Sequence, residues 1–112
     1  MLAWLIAFLL TCAVEVPVVV ALAKRDASVR VGRLVAVAFA LQATHPLLWL
    51  LDPPSLGLLL VAEVGIVVVE GLLLWRLARM SGPTVALLVA LIANCASFAV
   101  GLLLAPLLAS IG

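Results

Sequence analysis

The sequence predicts an all-α integral membrane protein, one antiparallel bundle of four transmembrane helices with both termini on the outer side. Three observations predict it. Apolar residues make up 69% of the chain and charged residues 10%, against about 25% charged in a soluble domain, so too little polar surface exists to face water all round. The apolar residues fall into four long runs with short polar or proline-rich breaks between them, and a run of about 20 is what crosses a bilayer as a helix. All six Lys and Arg residues flank only the first and third breaks. The chain of 112 residues is then a single membrane domain with no room for a soluble one.

Helix 1 is expected over residues 2–23. It has no basic leading segment, its apolar run is long and Glu15 interrupts it, so it reads as a spanning helix and not a removable signal peptide. Thr11 and Glu15 are four apart and share a face. Pro17 removes a backbone donor and crowds the carbonyl of Ala13, so a kink is expected beside the carboxylate. Trp4 suits an interfacial anchor.

The first loop, residues 24–30, is basic, and Arg33 in the next helix can snorkel to the same interface. Helix 2 is expected over 31–51. Pro46 frees the carbonyl of Gln42 and disfavours helical geometry at His45, so the Gln42-Ala43-Thr44-His45-Pro46 stretch should be distorted. Trp49 is a second interfacial anchor, and Asp52-Pro53-Pro54 makes a tight stop.

Helix 3 is expected over 56–79, and its interior charges are Glu63 and Glu70. Seven residues is two helical turns, so both carboxylates lie on one face, roughly 10 Å apart along the axis. Each costs about 2.5 kcal/mol or more in hydrocarbon, so both are expected to face other helices. In the third loop Ser81 is the expected N-cap and Pro83 suits a first helical turn. Helix 4 is expected over 84–111, bent or ended near Pro106. Its Asn94, Ser97 and Gly101 share one stripe, the pattern by which membrane helices pack closely and hydrogen-bond.

The basic loops place loops 1 and 3 in the cytoplasm. A composition rich in Ala, Leu and Val, with Arg preferred to Lys, suggests a bacterial inner membrane. The two halves also match weakly, Glu15 preceding Lys24 by nine residues as Glu70 precedes Arg79, which suggests a tandem repeat of two helical hairpins. A net charge of +1 predicts no nucleic-acid partner. Cys12 and Cys95 sit in apolar spans and have no metal-ligand spacing, so both read as buried apolar thiols.

Helix rise gives the depth of each polar group. Glu15 and Glu70 fall together in the inner half, His45 and Glu63 in the outer half. Asn94, Gln42, Thr44 and Ser97 come between. Two tiers roughly 10 Å apart do not suit a di-metal centre, whose ions lie about 4 Å apart. His45 and Glu63 are weak candidates for a single ion. A hydrogen bond between them explains the pair without metal, and no cofactor is called for.

The expected function is transport or conduction of a small solute, ion or protons. Glu15, Glu63 and Glu70 would be the protonatable groups, His45 a relay, and Gln42, Thr44, Asn94 and Ser97 ligands to cargo or water. Four helices enclose little space, so a homo-oligomer or a membrane-protein partner is expected. A second reading is a non-enzymatic accessory subunit whose polar groups fix the bundle. A third is an intramembrane enzyme using His45 and Glu63 as an acid–base pair or metal ligands.

Overall fold

The computed structural model describes residues 2–26, 30–44 and 55–111. Expectations placed on His45, Trp49, the loop at 52–54 and the side chain of Trp4 lie outside the described residues. Four helices are seen in that part: α1, Leu2–Ala23; α2, Val31–Leu41; α3, Leu56–Leu77; and α4, Pro83–Ile111. Segments Leu5–Ala23, Leu56–Leu77 and Pro83–Leu107 are each long and apolar enough to cross a membrane. The bundle is 44 Å long and 24 by 20 Å across, close to what 29 residues of α4 extend at about 1.5 Å each.

Local chemistry accounts for most helix ends. Leu2–Ala23 has the expected limits, and its C-terminus tightens through Asp26 N–H donating to Ala23 O at 3.0 Å. Ser55 starts α3, its Oγ accepting from Leu58 N–H at 3.2 Å. At the far end Arg79 adopts the left-handed conformation at φ 59°. Arg33 Nε, reaching across from α2, donates to Leu77 O at 2.6 Å. That satisfies one of the carbonyls a helix leaves unpaired at its C-terminus.

One sequence expectation is corrected, that of the α4 cap. Helix α2 is regular to Leu41, and Gln42 and Ala43 form a turn within the stretch expected to be distorted; residues 45–51 lie outside the described residues. Their N–H groups bond carbonyls three residues back, Phe39 O at 3.1 Å and Ala40 O at 3.2 Å. Ser81 does not cap α4: the cap position falls on Gly82, with Pro83 at the first helical position as expected. Ser81 N–H instead donates to Asp26 Oδ2 at 2.7 Å, tying loop 3 to loop 1. α4 runs through Pro106 to the expected limit at Ile111, because one missing donor leaves the remaining bonds of the last turns intact.

The helices stand as the corners of a square. α1 lies beside α2 and α4, and α3 lies beside the same two, with the α1–α4 interface the broadest. Among the described residues, every buried side chain lies within 15–23, 34–42, 70–80 or 86–94. The core therefore occupies the end of the bundle that carries loops 1 and 3. Small residues bring the backbones together there: Ala23, Ala38, Ala78, Ala86, Ala90 and Ala93 are all buried. The closest approach is at Gly71, where an added Cβ would sit 2.9 Å from Leu87 Cα and 2.6 Å from its Cδ2. Only glycine fits, and α3 meets α4 there.

Candidate functional site

Four buried polar side chains stand in this core: Glu15 on α1, Gln42 at the end of α2, Glu70 on α3 and Asn94 on α4. All four corners of the bundle thus contribute one. Glu15 and Glu70 are 0% and 2% exposed, close to the fully buried Leu34 and Leu74. α4 joins them, because it lies between α1 and α3 and presents Asn94 and Ser97 one turn apart.

Asn94 Nδ2 donates to Glu70 Oε2 at 2.9 Å and to Ala90 O at 2.7 Å. Ser97 Oγ lies 2.6 Å from Glu15 Oε1 and 3.1 Å from the main-chain oxygen of Asn94. On the other side of Glu70, Thr44 Oγ1 lies 2.7 Å from Oε1 and 2.9 Å from Leu41 O. A continuous line of polar contacts runs Thr44, Glu70, Asn94, Ser97, Glu15.

Counting hydrogens gives this line its chemistry. A hydroxyl has one proton to donate and can also accept. Ser97 faces two oxygens, one of them a backbone carbonyl that can only accept. With a proton on Glu15, the acid donates to Ser97 and Ser97 donates to Asn94 O, and both contacts are satisfied. Without it, Ser97 must choose between the carboxylate and the carbonyl. Thr44 repeats the arrangement at Glu70, with Leu41 O as the competing carbonyl. Each carboxyl is thus set beside a hydroxyl that also faces a backbone carbonyl.

Among the described residues, the buried acceptors Gln42 Oε1 and Asn94 Oδ1 meet no hydrogen-bond partner. Gln42 Nε2 donates to Ala38 O at 3.1 Å, within its own helix.

The expected tiers hold in part. Glu15 and Glu70 do come to one level, joined by the α4 stripe. Thr44, Asn94 and Ser97 belong to that level and do not form a separate middle layer. Thr11 does not join them and donates to Ala7 O at 2.9 Å. Glu63 stands apart, half-buried on the face between α3 and α4, in a groove that Asn94 also lines. Among the described residues no three His, Cys, Asp or Glu side chains converge as metal ligands. Sequence reasoning missed Gly71 and the Asp26–Ser81 and Arg33–Leu77 ties. The signal for Gly71 was a glycine directly after a buried carboxylate in a run of large apolar residues.

Comparison with protein-family models, curated proteins and solved structures finds no match for this chain.

Proposed function

We propose that this chain is a multi-pass protein of a bacterial inner membrane that moves a small solute or ion, with protons taken up and released by Glu15 and Glu70. Loops 1 and 3 face the cytoplasm, consistent with the six basic residues in and beside them. The observation that carries the reading is the pair of buried carboxyls, each set against a hydroxyl that also faces a backbone carbonyl. Ionisable groups inside a membrane bundle are expensive, and they mark ion and proton paths. Holding the helices in register needs far less, since interhelical hydrogen bonds in membranes contribute only about 0.6 kcal/mol on average. Glu63, and His45 next to Thr44 in the sequence, extend the titratable set toward the outer side. The enclosed polar volume is small, so the working unit is a homo-oligomer or includes a membrane-protein partner.

The test is proton uptake by proteoliposomes that enclose a pH-sensitive dye. Glutamine keeps the shape of the protonated acid and can still donate to Ser97 or Thr44, but it cannot give up a proton. Glu15→Gln and Glu70→Gln are expected to keep the fold and slow uptake about tenfold or more, a barrier change of about 1.4 kcal/mol. Uptake equal to that of empty liposomes in the wild type, or unchanged uptake in both variants, would favour the accessory reading, in which the polar groups serve only the bundle.

A further inference from the structure

All six Lys and Arg residues lie in or beside loops 1 and 3, and Asp26 is the one acid within residues 24–33 and 76–83. Asp26 Oδ2 accepts from Ser81 N–H at 2.7 Å. Three of the arginines gather where α2 meets the end of α3. Arg33 Nε donates to Leu77 O at 2.6 Å. Arg76 directly precedes Leu77 and Arg79 follows it by two residues. Three cationic residues from two helices thus surround one carbonyl, and all three are exposed. Arg79 takes the left-handed conformation at φ 59°, which turns the chain at the end of the helix. The Arg76 guanidinium lies 4.5 Å from the ring centre of the half-buried Trp75. Tryptophan and arginine together suit the headgroup level of a bilayer.

We propose that this corner binds the headgroup of an anionic phospholipid, its phosphate received by Arg33, Arg76 and Arg79. Three features select that occupant. A guanidinium fork matches two phosphate oxygens at once. It carries five N–H donors, and the bond to Leu77 O uses one of those on Arg33. That same bond covers a carbonyl at the negative end of a helix, which would otherwise repel an anion. The polar corner also continues into an apolar track. Val69, Leu72 and Arg76 are spaced three then four apart and so form one stripe of α3, and both Val69 and Leu72 are exposed. A phosphate held at Arg76 lays its acyl chain along that stripe, whereas a soluble phosphate gains nothing from it. The surplus of positive charge favours a headgroup of net negative charge over one whose own ammonium it repels. The inference stands apart from the transport reading and needs only that the long apolar helices lie in a bilayer.

The test is native mass spectrometry of the protein in maltoside micelles, titrated with phosphatidylglycerol or with phosphatidylcholine of the same chains. Retained phosphatidylglycerol is expected, with phosphatidylcholine bound about tenfold or more weaker. Arg76→Gln/Arg79→Gln leaves Arg33 on its carbonyl and should bring phosphatidylglycerol down to the level of phosphatidylcholine. Lys24→Gln/Arg25→Gln removes the same charge from loop 1 and should keep the preference. Equal binding of the two lipids by the wild type would overturn the proposal. The same loss in both double variants would also overturn it, reducing the rim to diffuse charge. Displacement of the lipid by inorganic phosphate, but not by chloride at the same ionic strength, would assign the corner to a soluble anion and overturn it likewise.

Discussion

Gly71→Ala is the sharpest structural test of how the site is held. The new Cβ would lie 2.9 Å from Leu87 Cα and 3.1 Å from its Cγ, whereas carbon atoms in contact stand about 3.5–4.0 Å apart. The Leu87 side chain can rotate away, but its backbone cannot. α3 and α4 must therefore part by about 0.6 Å or more. Overpacking of this kind costs about 1–3 kcal/mol. Glu70 is the preceding residue, so its 2.9 Å bond from Asn94 would lengthen to about 3.5 Å, beyond useful hydrogen-bond range. The control is Gly65→Ala in the same helix, where an added Cβ meets nothing within 4 Å. Both substitutions gain the same helix propensity, about 1 kcal/mol, so their difference isolates the contact. Unfolding by SDS in mixed micelles should place Gly71→Ala below Gly65→Ala by about 1–3 kcal/mol. Equal stability of the two, within the about 0.3–0.5 kcal/mol expected of independent sites, would refute the close approach.

Further outcomes follow from the same contacts. Asn94→Leu removes the donor to Glu70 Oε2 and should destabilise the bundle by about 1–3 kcal/mol, measured by the same unfolding. Arg79→Gly relieves a left-handed residue at φ 59° and should stabilise by about 1 kcal/mol, seen as a higher unfolding midpoint. Asp26→Ala breaks the bond to Ser81 N–H and should speed hydrogen exchange at that amide relative to the wild type. With Cys12 and Cys95 replaced by alanine, Ser81→Cys should react with a membrane-impermeant maleimide only from the cytoplasmic side; labelling of intact cells would reverse the orientation.

The helices were legible because their signals are local. α1 and α3 begin where expected, since long apolar runs bounded by loops and by Ser55 leave few alternatives. α2 loses its regularity at Gln42 and Ala43, within the stretch where Pro46 was expected to distort it. The site was legible as a list of residues and by depth, not by azimuth. Helix rise puts Glu15 and Glu70 at one level, yet it cannot tell that α4 lies between α1 and α3. That arrangement assigns Ser97 to Glu15 and Asn94 to Glu70. The backbone carbonyls of Leu41 and Asn94, which make the proton count informative, carry no sequence signal at all.

The central claim is that Glu15 and Glu70 take and release protons inside the bundle. Infrared difference spectroscopy of the reconstituted protein, stepped from acid to alkaline solution, tests it most directly. The account predicts two carboxylic-acid carbonyl bands that fade as protons leave, one absent in Glu15→Gln and the other absent in Glu70→Gln. Difference spectra of both variants identical to the wild type would contradict it.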